Sequence, residues 1–220
     1  MNTSIPLPAD FDLTRLERVP LDDRHGSLLE SAKAACGGSP AWRNRKGREG
    51  HDVLALAQTT GRITVLALDL REAMRFRFLM RAPVPCRPDP AGPLQVAPCA
   101  ELGLCYPESA VIEPQPGYNF ISLLRPSHAW HPNIAPVEFG QRICLGPQLP
   151  AATRLREIIF LTYHALTLAA AQFNPLDPAG VMNGAAAEWY QRNPGHIPLS
   201  KEPFIFFGEN SRTAAQRSNT

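Results

Sequence analysis

The sequence has little net charge, no long apolar run and no pair of cysteines at metal-binding spacing. Its 22 basic residues are nearly balanced by 20 acidic ones, and the formal net charge is +2. A charge this small does not indicate nucleic acid or an anionic membrane as a partner. The longest apolar run, residues 158–171, is short for a bilayer and contains Thr162, His164 and Thr167. We therefore predict a buried helix here and expect no membrane partner.

The cysteines do not indicate a disulfide framework. There are five of them, at Cys36, Cys86, Cys99, Cys105 and Cys144. A chain of 220 residues with 44% hydrophobic content can build a core without covalent cross-links. The N-terminus has no basic segment followed by an apolar run, so we expect a reducing, cytoplasmic location. Because no Cys-x-x-Cys pair is present, we predict no metal and no other cofactor.

Apolar periodicity in the N-terminal half predicts one helix followed by strands. Residues 22–35 repeat apolar side chains at helical spacing and are followed by Gly37 and Gly38, which predicts a helix. Strand-like runs follow at residues 51–58, 62–70 and 75–80. The connections at residues 59–61 and 71–73 are short enough for hairpins. An antiparallel meander is therefore the expected topology.

The C-terminal half alternates proline-rich and apolar segments. Nine of the 23 prolines lie between residues 83 and 116, which predicts a long surface excursion without regular helix or central strand over most of its length. A strand is expected at residues 118–124, and a buried helix with Thr153 as its N-cap at residues 154–171. A short helix is predicted at residues 185–191. Together with the meander, these elements predict an α+β fold.

One domain is predicted between two mobile ends. Residues 1–12 contain two prolines and are interpreted as a flexible arm. Residues 208–220 are polar and are interpreted as a mobile tail. Residues 13–207 then form a single domain, as expected for this length. Within it, a basic group is interpreted as a solvated turn: Arg43, Arg45, Lys46 and Arg48.

The stretch that most suggests chemistry begins at His131-Pro132-Asn133-Ile134 and ends at Ile143-Cys144-Leu145. Prolines at 132 and 136 and a glycine at 140 predict a shaped loop, which is where catalytic groups tend to lie. The Cys144 thiolate can carry an acyl group as a thioester. Attack on that thioester develops negative charge on its carbonyl oxygen, which the Asn133 amide can stabilise.

Four pieces in this half carry a family resemblance. They are His-Pro-Asn, Gly-x-x-Ile-Cys-Leu, Pro-Ala-Ala-Thr before an apolar helix, and Asn-Pro-Leu-Asp-Pro. Their order over residues 118–193 resembles the catalytic half of a ubiquitin-conjugating enzyme, most closely the bacterial ubiquitin-conjugating-like proteins encoded beside an activating enzyme and a modifier. Four features depart from the family, and one of them is that the helix after the cysteine is longer than usual. Asn133 and Cys144 are 11 positions apart, which is more than is usual in the family. The tryptophan expected after the cysteine is absent, and Gly146 replaces a common aspartate.

The resemblance implies roles for five residues. Cys144 would carry the thioester, while Asn133 and Asp177 would act in transfer of the acyl group to an amine. His131 and Pro132 would be structural at the active site. The implied partners are a ubiquitin-like modifier, a ubiquitin-activating-like enzyme and a protein substrate with an acceptor lysine. Residues 13–207 would be a ubiquitin-conjugating-like catalytic domain, and the bacterial relatives belong to antiphage defence operons.

Two other functions are compatible with the same residues. The chain can be a binding module that has the fold but no chemistry, although the retained Cys144, Asn133 and Asp177 argue against it. It can also be a cysteine hydrolase in which His131 is the general base for Cys144. A thiol-sensitive adduct on Cys144, formed with an activating enzyme, ATP and a modifier, would support only the conjugating function.

Overall fold

The computed structural model of the protein describes residues 13–89, 91–167, 180–196 and 202–204. The helices in these residues are α1 (Asp23–Ala34), α2 (Pro40–Thr60), α3 (Ser109–Ile112), α4 (Leu155–Leu166) and α5 (Gly184–Arg192). The strands are β1 (Ile63–Asp69), β2 (Met74–Met80), β3 (Val84–Cys86), β4 (Gln95–Ala97), β5 (Ala100–Tyr106) and β6 (Ile121–Arg125). Short 3-10 helices span Leu13–Arg18, Val137–Phe139 and Pro194–His196. The fold is a mixed α+β fold. None of the described helices is both long and apolar enough to cross a membrane.

Four strands form one antiparallel sheet in the order β1-β2-β5-β6, and β3 pairs with β4 separately. Along β2 the side chains alternate, with Met74, Phe76, Phe78 and Met80 buried and the arginines between them exposed. This period of two is typical of a sheet with one face against a core. Residues of α2, α4 and the inner sheet face share one hydrophobic core.

Several sequence predictions are confirmed. The helix expected at residues 22–35 is α1, and the strands expected at 62–70 and 75–80 are β1 and β2. They pair antiparallel across the short connection at residues 71–73. The short C-terminal helix is α5, and Asn183 caps it by accepting a hydrogen bond from Ala186 N. The arm at residues 1–12 and the tail at 208–220 lie outside the described residues.

The strand predicted at residues 51–58 is wrong, because these residues belong to α2. That helix begins after the N-cap Ser39 with Pro40 at its first position, and it ends at Gly61 in a left-handed conformation with φ 60°. Residues 52–57 of this helix are all buried, so the apolar run shows no helical period and resembles a buried strand. The predicted hairpin at residues 59–61 is therefore the end of a helix.

The predicted basic turn is also part of α2, and one of its residues is fully buried. Lys46 Nζ donates to three main-chain carbonyls, those of Gly37 at 2.8 Å, Leu70 at 2.6 Å and Arg71 at 3.1 Å. The ammonium therefore joins α2 to the chain after α1 and to the connection that leaves β1. Buried charges of this kind are tolerated because every proton has an acceptor.

The proline-rich segment contains a central strand, which the sequence prediction excluded. β5 lies between β2 and β6 and is paired with both along its length. Its residues include no proline, since Pro98 and Pro107 flank it. The other regular elements of the described segment are β3, β4 and the short helix α3. A high proline density averaged over the segment therefore concealed a proline-free stretch long enough for a strand.

α4 begins at Leu155, and its N-cap is Arg154 where Thr153 was predicted. The Glu157 carboxylate accepts from Arg154 N at 3.2 Å, which satisfies one donor at the helix start. A second donor, Leu155 N, is bound by the Glu49 carboxylate of α2 at 2.9 Å. The predicted helix at residues 154–171 is thus confirmed to Leu166, and residues 168–179 lie outside the described part.

Candidate active site

Asn133 and Cys144 lie directly opposite each other in a short antiparallel pairing. Cys144 N donates to Asn133 O at 2.8 Å, and Ala135 N donates to Arg142 O at 2.9 Å. Ile134 and Ile143 form the bridge between these two bonds and are fully buried. Opposite residues of an antiparallel pair share one face, with Cβ atoms about 4.5–5.5 Å apart. The fold therefore brings together the thiol and the amide that the sequence singled out.

The loop between the two residues accounts for their long spacing. It contains the 3-10 helix Val137–Phe139, followed by Gly140 with φ 75° and Gln141 with φ 46°. The Gln141 side chain is buried and accepts a hydrogen bond from Ala129 N at 2.9 Å. Its Nε2 donates to the carbonyls of Leu123 and Pro126, each at 3.1 Å. Because the extra residues form a closed turn, Asn133 and Cys144 remain paired.

His131 is buried inside the loop and is part of its structure. Its Nδ1 accepts a hydrogen bond from Asn133 N at 3.0 Å. Burial lowers the pKa of the ring to about 4, and the carbonyls of Ala165 and Leu166 oppose this shift only in part. Neither carbonyl forms a well-aligned hydrogen bond with Nε2 in the described part of the chain. The ring is therefore neutral at physiological pH, with its acceptor nitrogen already used.

Cys144 is buried, with 4% of its surface exposed, and its thiol donates to Gly146 O at 3.4 Å. Burial raises the pKa of this thiol, and a backbone hydrogen bond from Gly146 opposes the rise in part. Gly146 has φ 122°, a conformation that favours glycine. A Cβ on the neighbouring Gly117 would overlap the Gly146 carbonyl oxygen. Two glycines thus allow the chain to pass close to the thiol.

The Asn133 side chain has an unused hydrogen-bonding atom. Both backbone groups of Asn133 are bonded, and the residue is 5% exposed. Its Oδ1 is buried and has no hydrogen-bond partner within the residues that the structure describes. Buried polar atoms without partners are rare in folded proteins and often mark catalytic or binding groups. The amide is therefore held beside Cys144 with part of its hydrogen-bonding capacity free.

Pro132 is held from outside the loop by the start of α5. Its carbonyl oxygen accepts from Met182 N at 2.8 Å and from Asn183 N at 3.0 Å. Sequence reasoning missed Met182 and Asn183, as it missed Gln141, Gly117 and the structural role of Gly146. An asparagine before Gly184 and three alanines does indicate a helix N-cap. No local pattern indicates which distant carbonyl that helix start will contact.

A groove lies on the same side of the pairing as the candidate catalytic groups. Ala135 and Arg142 are two residues along from Asn133 and Cys144, so their side chains point to the same face. They form part of an open groove of about 520 Å³ that is also lined by Tyr118, Glu138, Phe139 and Met182. Phe139 is 71% exposed. A substrate segment attached to Cys144 would therefore meet an apolar surface with one acidic and one basic side chain.

The remaining expected features are not part of this site as described. Asp177 lies outside the described residues. Among the other thiols, Cys86 is buried, whereas Cys99 and Cys105 are exposed. Over the described ranges, no group of three or more His, Cys, Asp and Glu side chains is arranged to hold a metal ion.

Comparisons of the chain with protein-family models, with curated proteins and with solved structures find no match. Any assignment of function therefore depends on the geometry and chemistry of the site and on the resemblance seen in the sequence.

Proposed function

We propose that the protein is a ubiquitin-conjugating-like enzyme that receives a ubiquitin-like modifier as a thioester on Cys144 and transfers it to an amine. The proposal rests on one observation above all, the placement of Cys144 opposite Asn133 on a shared face. The order of helix, antiparallel sheet, active loop and buried helix also agrees with the family fold that the sequence resembles. The amine would be the lysine of a protein substrate.

In the first step, the Cys144 sulfur attacks the carbonyl carbon of the thioester between the modifier and the activating enzyme. A new C–S bond forms, and the C–S bond to the activating enzyme's cysteine breaks as that cysteine leaves as a thiolate. The proton of the Cys144 thiol is released to solvent or to the leaving sulfur. Since burial raises the pKa of Cys144, the thiol of the free protein is mostly protonated at neutral pH. The protonated thiol reacts slowly with other electrophiles before a thioester partner binds.

In the second step, a neutral amine attacks the thioester on Cys144. The C–N bond forms, the C–S bond breaks, and the nitrogen loses a proton as Cys144 leaves as a thiolate. In this proposal the side-chain N–H of Asn133, and not its acceptor Oδ1, donates to the negative charge that develops on the carbonyl oxygen. The resemblance implies that the Asp177 carboxylate helps the acceptor lysine to lose a proton. Asp177→Ala should leave charging of Cys144 near normal and slow discharge to free lysine, with partial recovery at higher pH.

The hydrolase alternative is disfavoured by the state of His131. A general base needs a free ring nitrogen and a pKa near the working pH. The Nδ1 of His131 accepts from Asn133 N, and burial lowers the ring pKa to about 4. The ring therefore cannot take the Cys144 proton efficiently at neutral pH.

The test uses an activating enzyme and a ubiquitin-like modifier from the bacterial systems that the sequence resembles, or from the neighbouring genes where these encode them, with ATP and the purified protein. Intact mass should show one modifier attached to the wild type, and thiol treatment should remove it. Cys144→Ser should give a thiol-resistant oxyester or no adduct. Cys99→Ser, which changes an exposed thiol outside the site, should behave as the wild type. A reducible adduct on Cys144→Ala would assign the carrier role to another cysteine, and tight binding without an adduct would favour the non-catalytic module.

We extend the proposal to antiphage defence in the bacterial cytoplasm, because the proteins that the sequence resembles belong to such operons. Where the gene lies in an operon of this type, cells with the complete operon should resist phage infection. Replacing Cys144 by alanine in the chromosome should abolish that resistance without lowering the amount of protein. Full resistance in the mutant would separate the chemistry from this biological role.

A further inference from the structure

The start of α5 contacts the candidate site through the peptide unit that precedes Asn133. Met182 N and Asn183 N both donate to Pro132 O, at 2.8 Å and 3.0 Å. These two bonds fix the orientation of the Pro132–Asn133 peptide plane. Asn133 N then donates to the His131 ring, and Asn133 O accepts from Cys144 N. Every backbone polar group around Asn133 therefore has a partner, and two of the donors come from outside the loop.

The Asn183 side chain determines whether those donors stay in place. Its Oδ1 accepts from Ala186 N at 3.0 Å, which is the N-cap bond of α5. The side chain is buried, with the residue 6% exposed, and its backbone has the extended conformation of a cap, φ −131° and ψ 91°. Removing a cap frays the first helical turn. Fraying at this point would release the hydrogen bonds from Met182 and Asn183 to Pro132.

The middle of α5 is fixed to the same loop independently of its start. Tyr190 Oη donates to Trp130 O at 3.1 Å. The Arg87 guanidinium lies 5.2 Å from the Trp130 ring centroid and 5.4 Å from that of Trp189. Such cation–π contacts would join β3, the loop and α5. Loss of the Asn183 cap should therefore loosen the start of α5 without detaching the helix.

We propose that Asn183 is a positioning residue for the active site: it keeps the start of α5 against Pro132, which in turn holds Asn133 opposite Cys144. The role in catalysis rests on the proposed function, whereas the structural coupling does not. Asn183 does not touch the reacting atoms. Its effect reaches them through the Pro132–Asn133 peptide and the hydrogen bond between Asn133 O and Cys144 N.

The test compares two asparagines of the same helix. Asn183→Ala removes the N-cap beside the site, while Asn193→Ala removes the side chain that donates to Trp189 O at 2.8 Å at the opposite end. Hydrogen exchange of the Cys144 amide, followed by NMR, reports the bond to Asn133 O without any partner protein. Exchange should accelerate by about fivefold in Asn183→Ala, the factor expected for loss of one cap. It should be unchanged in Asn193→Ala.

Activity provides the second measurement. Asn183→Ala should lower the rate of thioester discharge at saturating lysine by a similar factor and leave the half-saturating lysine concentration unchanged, because only the transition state loses an interaction. Asn183→Asp keeps a capping oxygen and should restore both exchange and discharge. Unchanged Cys144 exchange in Asn183→Ala would overturn the coupling, and faster exchange with normal discharge would overturn the role in catalysis. If the wild type forms no thioester, the proposed function fails, while the exchange measurement still decides the coupling.

Discussion

Adding one methyl group at Gly117 should disturb the candidate site more than its size suggests. Gly117 is buried, and a Cβ there would overlap the Gly146 carbonyl oxygen and come within 3.0 Å of Gly146 N. These are backbone atoms, so no side chain can rotate away to make room. Gly146 O is also the acceptor of the Cys144 thiol. The displacement therefore has to move the segment that carries the nucleophile.

Two magnitudes follow. Overpacking of a buried position costs about 1–3 kcal/mol in the free energy of unfolding, and Gly117→Ala should lie in that range. Misplacement of a reacting group by about 1 Å can slow a reaction by about 100-fold. A shift of a few tenths of an ångström should therefore slow charging of Cys144 by about tenfold. Urea unfolding gives the first quantity, and single-turnover charging followed by intact mass gives the second.

A matched glycine provides the control. Gly26 lies inside α1, and a Cβ there would meet no atom within 4 Å. Gly26→Ala should raise the free energy of unfolding by about 0.5–1 kcal/mol, because alanine favours a helix over glycine. Charging should be unaffected. If Gly117→Ala instead unfolds like the wild type and charges at the same rate, the close contact with Gly146 does not constrain the site and the reasoning is wrong.

Three further predictions concern the loop itself. Asn133→Ala should slow discharge to lysine in single-turnover assays by about 100- to 1,000-fold, which is the usual cost of losing an oxyanion donor. A variant that unfolds at a lower temperature but discharges at the normal rate would contradict this role. The free energy of unfolding should fall by about 3 kcal/mol as pH falls from about 6.5 to 4, because burial lowers the pKa of His131 to about 4 and the unfolded chain binds the proton first. In urea titrations of His131→Gln, the free energy of unfolding should change with pH by about 3 kcal/mol less over the same range. Iodoacetamide should alkylate Cys144 more slowly than the exposed Cys99 at neutral pH. The rate at Cys144 should continue to rise at alkaline pH, because burial raises the pKa of this thiol. Equal rates at the two cysteines, measured by peptide mapping, would refute the burial of Cys144.

Local patterns predicted the elements whose boundaries are marked in the sequence. α1 ends before two glycines, β2 alternates strictly, and the loop around Asn133 contains the prolines and glycine that shape it. These features depend on neighbours in sequence, so the sequence shows them. The sequence reading expected Asn133 and Cys144 to come together on a shaped loop, but it did not predict their antiparallel backbone pairing.

The errors have physical causes. Residues 52–57 of α2 are all buried, so this stretch lacks the period that separates a helix from a strand. β5 was missed because proline was averaged over a segment in which the strand itself has none. The contact of Gly117 with Gly146 and that of Asn183 with Pro132 join distant parts of the chain. Such contacts depend on how the elements pack, which a single sequence does not display.

Under the proposed function, the burial of Lys46 limits how the protein can modify itself. The chain has only three lysines, and the ammonium of this one is enclosed by three carbonyl groups. An acyl acceptor must be an amine that can reach the thioester, and the enclosed Nζ of Lys46 cannot do so while α2 is in place. Self-conjugation of the folded protein must therefore use other amines. A modifier found on Lys46 by peptide mapping would show that α2 had unfolded or separated from its neighbours before the lysine was modified.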